Sequence, residues 1–471
     1  MPEEQRDDKL ALVYEANRHN LVAVKTSVGL TERVNIENIV TQGGTFGPIE
    51  CANSIDKLGQ KCFNRGQNLF VYKNMVRVLP LSMVDDLLTI SRCGNDSLSL
   101  NTFVNAQIES KKLRFHTPDK DGKSKCHFLH IGKENRICPD LKVHGTQMER
   151  VSEDTYLGDI ISHDGRNSKN IKSRIAKGVG ITSQIMTLLE SVTLGEHYFT
   201  TSILLRESKF LNGILTNCDI CYGVNKEEIN EFECIDRILL RKFLSAPISS
   251  PSESLYLELG IMDVETTIKA RRINYLHYLC TRKENEMLSQ FFNTQWKHPT
   301  NHKDWTELVK HDLVDFEIPV DLEFIKSKTK LSMSNLVKTK SKHYAWKKFM
   351  ESKLEHSKMD NLWYSSLGMQ DYLKSNEFTT TEIRTIFSFR TRMADFGENF
   401  KNGHTYVPCP LCHVHLDSQA MSFQCPKVLE GVTINGSYED LFKEKIPKEL
   451  VKTIVNIVEY RRDYLEQRML R

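Results

Sequence analysis

The spacing of apolar residues changes part-way along this 471-residue chain, and that change limits its fold more than any other feature. Up to about residue 160, short runs alternate apolar with polar residues and are rich in β-branched side chains. They are "NLVAVKTSVG" from Asn20, "NMVRVLPLSMV" from Asn74 and "CHFLHIG" from Cys126. A period of two sends successive side chains to opposite faces of a strand, so strands are expected there. Between them, Ile49, Ala52, Ile55 and Leu58 follow Pro48 at helical spacing, the pattern of a helix opened by proline. From Asp164 to about residue 295 the apolar step lengthens to three and four. "NSKNIKSRIAKGVGITSQIMTLLESV", "NKEEINEFECIDRILLRKFLSAP" and "DVETTIKARRINYLHYLCTRKENEMLSQFF" each predict amphipathic helix. Asn225 with Glu228 has the form of a capping box, and "SAPISSPSES" marks a break. Residues 297–335, with Pro299, Pro319 and charge-rich turns, are expected to be irregular. Further helices to Arg392, a small Cys/His-bearing loop and a closing helix from Ile446 complete the chain. The expected fold class is α+β, with strands and helices first and helices alone afterwards.

Charged residues make up 27% and hydrophobic residues 39%, a balance that excludes wholesale disorder. The net charge is only +3, so any polyanion site has to come from local clusters of lysine and arginine. The start, "MPEEQRDDKL", has no apolar core of a secretory signal, and no run reaches the roughly 18 residues that spanning a bilayer needs. The expectation is an intracellular protein, nuclear or cytoplasmic, with no membrane partner. Cys51, Cys62, Cys93, Cys126, Cys138, Cys234 and Cys280 are scattered singly and read as reduced thiols. Cys218 and Cys221 have metal-knuckle spacing but no nearby partners, so they read as helix-end thiols.

"LPLSMVDDLLTIS" places Asp85 and Asp86 between two apolar runs. Like charges side by side need either a solvated turn or a cation. On a straight strand the two would point to opposite faces, whereas in a tight hairpin both carboxylates lean to one side. Mg²⁺ favours carboxylate and phosphate oxygens and is commonly brought to a nucleotide by one or two aspartates. Aspartate is also a favoured turn residue, and the pair alone does not decide between the two. Upstream stands "TQGGTFGPIECANSI", where glycines permit close backbone approach and a helix start favours phosphate. Downstream come "GKSKCHFLHIGK" and "DTYLGDIIS".

Taken in order, "QGGTFGP", the Asp-Asp hairpin, the Lys-Cys strand and "YLG" resemble motifs B, C, D and E of the reverse transcriptase palm. The likeness is to polymerases of non-long-terminal-repeat (LINE-type) retrotransposons. The resemblance implies a partial palm over residues 1–162, a helical thumb and connection over 163–296 and a helical basic region over 297–400. A zinc-knuckle-like loop over 401–430 and a carboxy-terminal helix over 431–471 would follow. It implies Asp85 and Asp86 as ligands of the catalytic Mg²⁺ and Lys125 as the lysine that neutralises pyrophosphate. Gln42, Gly43 and Pro48 would contact template and incoming nucleotide, and Tyr156, Leu157 and Gly158 would grip the primer. The implied partners are an RNA template and a DNA primer, and the reaction is two-metal nucleotidyl transfer.

The sequence departs from this pattern in two places. Met83 stands where the family has an aromatic residue. No counterpart of motif A, the strand carrying the third metal-binding aspartate, precedes "DDKLALVYEAN", and the fingers are missing. Asp7 and Asp8 lie in a polar start and are not assigned that role. The resemblance therefore implies an amino-terminally truncated and catalytically impaired polymerase. A non-catalytic nucleic-acid-binding descendant of such an element, or an inert remnant, stays open beside it.

Two clusters are candidates for nucleic-acid binding. Arg166, Lys169, Lys172, Arg174 and Lys177 fall in a stretch, residues 165–189, without a single acid. Residues 326–348 hold eight lysines and no acid, interleaved with Tyr344 and Trp346. Such clusters supply sequence-independent affinity for phosphates, and aromatics add stacking. Either run also serves as a plain solvated face, and Lys269, Arg271 and Arg272 read only as that. Finally, Cys409, Cys412 and Cys425 keep the cysteine spacing of the Cys-x2-Cys-x7-His-x4-Cys motif of similar elements. Its histidine position is Ala420, whose methyl group binds no metal. Zn²⁺ held by the three thiolates with His404, His413 or His415 as the fourth ligand, and a metal-free remnant, are both open.

Overall fold

The computed structural model describes residues 20–22, 25–26, 29–30, 32, 34–36, 58–62, 64, 69–83, 86–110, 114–115, 124–132, 139–220, 226–300, 304–354, 359–400, 406–443 and 445–469. The structure is mostly helical, with 58% helix and 8% strand, and its small sheets make it a mixed α and β protein. The chain divides into two compact units, Met1–Arg166 and Asn167–Arg471. The predicted helix after Pro48 lies outside the described residues up to Leu58.

All described strands belong to the first unit and pair two by two. Strands β1 (Asn20–Val22) and β4 (Val34–Ile36) pair antiparallel, as do β2 (Lys25–Thr26) and β3 (Gly29–Leu30). Three further hairpins are β5 (Val71–Tyr72) with β6 (Val76–Arg77), β7 (Leu81–Met83) with β8 (Asp86–Leu88), and β10 (Lys142–Val143) with β11 (Thr146–Gln147). Strand β9 (His127–Leu129) runs parallel to β12 (Glu149–Val151), and β13 (Glu153–Tyr156) forms a hairpin with β14 (Asp159–Ser162). The one long helix described here, α1 (Gly94–Ser110), buries Leu100, Val104 and Ile108, spaced four apart. They meet Leu58, Cys62 and Leu69 in the core, and Leu87 of β8 packs against that cluster. The period of two then turns the neighbouring Asp86 to the exposed side.

The second unit contains only helices and loops among the described residues. Its helix α2 (Ser168–Ser191) buries Ile171, Gly178, Ile181, Ile185 and Leu189 along one stripe. Gly178 lets it approach Ile214 closely: a Cβ there would sit 2.9 Å from the Ile214 Cγ2. Helix α3 (Tyr198–Leu205) continues into a π turn, Arg206–Leu211. Helix α4 (Lys226–Leu244) buries Phe232, Ile235, Leu239, Leu240 and Phe243. Helix α5 (Ser252–Leu259) ends on Gly260, whose left-handed φ of 65° closes the turn. The long pattern beginning at Asp263 is two helices, α6 (Val264–Cys280) and α7 (Met287–Lys297). The polar run "TRKENE" offers no residue to bury, and the chain turns there.

Residues 297–335 differ from the irregular stretch expected. Helix α8 (Trp305–Asp315) forms there and buries Trp305, Val309 and Leu313, four residues apart. The basic run after it is mostly one helix, α9 (Lys330–Lys353), capped by the Thr329 side chain. A capping box at Thr379 and Glu382 opens α10 (Thr380–Arg390). Two short helices, α11 (Gln419–Ser422) and α12 (Pro426–Gly431), precede α13 (Lys448–Met469). Leu450, Val451, Ile454 and Ile457 of α13 join the same core as α2 and α4, so the knuckle and closing helix belong to this unit.

Buried ion pairs tie these helices together. Arg206 makes two bonds to Asp236, at 2.7 and 2.6 Å, with both groups buried. Arg390 donates to Glu258 at 3.0 Å, and the Tyr364 hydroxyl donates to the same carboxylate at 2.7 Å. Arg272, expected on an exposed face, is instead buried against Asp312 at 2.7 and 3.1 Å. Lys269 bonds Asp315 at 2.8 Å, and Arg271 bonds Asn212 at 2.7 Å. That face packs on neighbouring helices that carry the complementary groups.

Candidate nucleic-acid and metal sites

The hairpin β7–β8 has the register Leu81↔Leu88, Ser82↔Leu87 and Met83↔Asp86. Asp85 lies outside the described residues, as do Gln42, Gly43 and Pro48. Asp86 opens β8 and is exposed. The second hairpin, β13–β14, pairs Tyr156 with Asp159. Its turn residues Leu157 and Gly158 both have positive φ, 50° and 84°, the pattern of a tight I′ turn. A leucine in that conformation is uncommon, and its side chain is 50% exposed at the tip rather than packed.

These two hairpins meet. The Tyr156 hydroxyl donates to the Leu81 carbonyl at 3.3 Å, across 75 residues of sequence. Partial burial raises the Tyr156 hydroxyl above its usual pKa, and the negative charge of Asp86 pushes it further the same way. Lys125 is exposed on the bend before β9. Among the described residues, no group of three carboxylates gathers around Asp86.

The basic cluster splits between the two units. Arg166 is exposed in the first, where its backbone N–H donates to Asp164 at 2.9 Å. Lys169, Lys172 and Lys177 are exposed on α2, but Arg174 is 7% exposed and faces inward. The helical period places Arg174 near the buried stripe, so it is not displayed to a phosphate backbone. In the second basic run, Lys348 is half-buried and engaged by acidic partners. It bonds Asp263 at 2.6 Å and Glu265 at 2.7 Å. Lys340 bonds Glu317 at 3.0 Å, leaving Lys326, Lys330, Lys338 and Lys347 among those exposed.

Cys409, Cys412 and Cys425 come together: their three Sγ atoms lie within 4.8 Å of one another, and Cys409 and Cys425 are 3.8 Å apart. The turn is built by the backbone. The Cys409 N–H donates to the His415 carbonyl at 2.7 Å, and the His413 N–H donates to the Cys409 carbonyl at 2.8 Å. His413 closes it with a φ of 59°. Burial pushes the Cys412 thiol up, but backbone N–H groups of His415 and Val414 and the two other thiols outweigh it, and the net direction is down. Cys425 is pushed up to about 11, chiefly by burial, against the N–H groups of Val428 and Lys427. Soft thiolates cradled by amides fit the donor chemistry of Zn²⁺. Among the described residues, neither His413 nor His415 joins the group, and His404 lies outside them. Ala420 is exposed on α11.

A second candidate cluster escaped the sequence reading. Glu233, Asp263 and Glu265 bring carboxylate oxygens within 4.8 Å of one another. Lys348, Lys269 and Arg237 neutralise it from within, Lys269 reaching Glu265 at 3.0 Å and Arg237 reaching Glu233 at 3.2 Å. Burial, then the nearby charge of Asp263, raises Glu233 to about 7. With its cations already supplied by three side chains, this group is an ion-pair network. No spacing rule connects residues on α4, α6 and α9, so no local signal pointed to it.

No protein-family model matches the chain, and no curated protein matches it. No helix among the described residues is long and apolar enough to cross a membrane.

Proposed function

We propose that the chain is the palm-to-tail portion of a reverse transcriptase of the non-long-terminal-repeat retrotransposon type, engaging a DNA primer on an RNA template. The observation that carries this reading is the bond from Tyr156 to Leu81. It sets the hairpin that resembles the primer grip beside the hairpin that resembles the metal-binding turn. A primer end held at Tyr156, Leu157 and Gly158 would lie next to the carboxylates, and nucleotidyl transfer needs that proximity. Asp86, an exposed hard-oxygen donor, and Asp85 would hold Mg²⁺, which when bound polarises phosphoryl oxygens and neutralises their charge. Two adjacent aspartates suit one such ion better than a pair held about 4 Å apart. Lys125 would stand by as the cation for the leaving group. The deciding experiment is Mg²⁺-dependent primer extension on an RNA template. Product that Asp85→Asn with Asp86→Asn abolishes supports the reading, and no product from the unaltered chain overturns the enzymatic part of it.

The exposed lysines of α2 favour a second reading, a non-catalytic nucleic-acid-binding protein. Under it the chain retains duplex without extending it, and the affinity falls steeply with salt. Binding that ignores salt would rule it out.

A further inference from the structure

We infer that Met421 supplies a fourth sulfur to the Cys409, Cys412 and Cys425 group, and that this all-sulfur site takes a soft monovalent cation, Cu⁺, in preference to Zn²⁺. The inference is independent of the polymerase reading. Its first support is the spacing of the thiols. A metal bonded to sulfurs at about 2.3 Å sets neighbouring sulfurs about 3.8 Å apart in a tetrahedron. Cys409 and Cys425 are 3.8 Å apart, and all three sulfurs fall within 4.8 Å of one another. Three thiols leave one vertex of that tetrahedron to be filled.

The small cavity beside the sulfurs limits what can fill it. Cys409 and Cys425 line it together with Asp417, Ser418, Met421 and Ser422. The Asp417 oxygens are committed to Arg461, at 2.7 and 2.8 Å, and to the Gly397 N–H at 2.7 Å. Ser418 Oγ accepts from the Met421 N–H at 3.1 Å, and Ser422 Oγ donates to the Gln419 carbonyl at 2.6 Å. Among these described residues, the Met421 thioether is the donor atom beyond the thiols that no hydrogen bond holds. The Ser418 cap fixes the turn of α11, so the half-buried Met421 joins the cavity wall while Ala420 beside it stays exposed. Methionine is unbranched, and its three rotatable bonds let the sulfur swing through such a space. A thioether is a neutral, soft donor. Thiolate and thioether sulfurs together suit Cu⁺, whereas structural zinc sites take thiolate and imidazole.

The experiment uses the full reduced chain, made with selenomethionine and loaded anaerobically with one equivalent of Cu⁺. X-ray absorption at the copper edge should show sulfur neighbours and one selenium neighbour. The selenium should vanish in Met421→Leu, a swap of similar volume. With ordinary methionine, Met421→Leu should bind Cu⁺ about tenfold more weakly against a chromophoric Cu⁺ chelator and leave Zn²⁺ affinity unchanged. Met421→His should instead raise Zn²⁺ affinity by about tenfold or more, since it offers an imidazole to the vertex. Copper with no selenium neighbour in the unaltered chain, or with one that persists in Met421→Leu, would overturn the fourth-ligand assignment even where a variant fails to fold. Zn²⁺ displacing Cu⁺ at equal concentration would overturn the preference. A Zn²⁺ affinity that His404→Ala, His413→Ala or His415→Ala abolishes would show imidazole completing the site and overturn both.

Discussion

Replacing Lys169, Lys172 and Lys177 together by glutamine should flatten the salt dependence of duplex binding by a calculable amount. The three side chains are exposed on the first turns of α2. At 1.5 Å per residue they span about 12 Å of helix axis and about 140° of its circumference, so a single duplex backbone can reach all of them. A duplex presents one charge per roughly 1.7 Å of its axis, more than enough phosphates over that length. Each neutralised phosphate contributes about −0.9 to the slope of log affinity against log salt, so three contribute about −2.7. Between roughly 50 and 200 mM salt the logarithm rises by about 0.6, and the triple variant should therefore lose about 40-fold less affinity over that range. Fluorescence anisotropy of a labelled duplex across a salt series reads both slopes directly. Arg174→Gln is the control: being buried, it should leave the slope unchanged while lowering stability. A folded triple variant with the wild-type slope, or Arg174→Gln alone removing it, would refute the placement of phosphates along α2.

Glu258→Ala should destabilise the second unit by about 3–5 kcal/mol, because it strands the buried Arg390 charge, and adding Arg390→Met should recover part of the loss. Urea unfolding followed by tryptophan emission reads this unit alone, since Trp296, Trp305, Trp346 and Trp363 all lie beyond residue 166. Glu233, raised to about 7 in the fold, is protonated more readily folded than unfolded. Its contribution is favourable below the unfolded value and is lost as pH rises towards about 7, so Glu233→Gln should stabilise the protein at pH 8 by on the order of 2 kcal/mol and little at pH 5. Equal effects at both pH values would contradict that. Gly260→Ala should cost on the order of 3 kcal/mol in the same unfolding assay, since its left-handed φ and the adjacent backbone of Gly368 and Met369 leave no place for a Cβ. Zinc titrated against a chromophoric chelator should bind more weakly as pH falls from about 8 to 6, because the three thiols must shed protons, and a pH-independent affinity would argue against thiolate ligation.

Apolar periodicity alone predicts α2 and α4, because each buries one stripe against a single core and the period survives in the residues, and it also predicts α6, whose apolar residues divide between two cores. The same rule misses α8, where Pro299, Pro319 and several charges mask three apolar residues spaced four apart. Alternation likewise predicts the strands around Met83 and Phe128 but says nothing of their partners. The parallel pairing of β9 with β12 and the meeting of Tyr156 with Leu81 depend on chain segments far apart in sequence. Cysteine spacing marks Cys409, Cys412 and Cys425 as a group. Their graded exposure emerges only when α11, α12 and the preceding turn fold around them. Charge is the feature least readable in one dimension. In the sequence Arg272 reads as solvated surface and Arg174 and Lys348 as members of basic clusters that face phosphate or water, and the fold buries the first two and pairs the third with Asp263 and Glu265. Local rules register a residue's own periodicity and turn chemistry. Whether a charge faces water or a partner depends on a helix that arrives from elsewhere, and only the tertiary structure decides it.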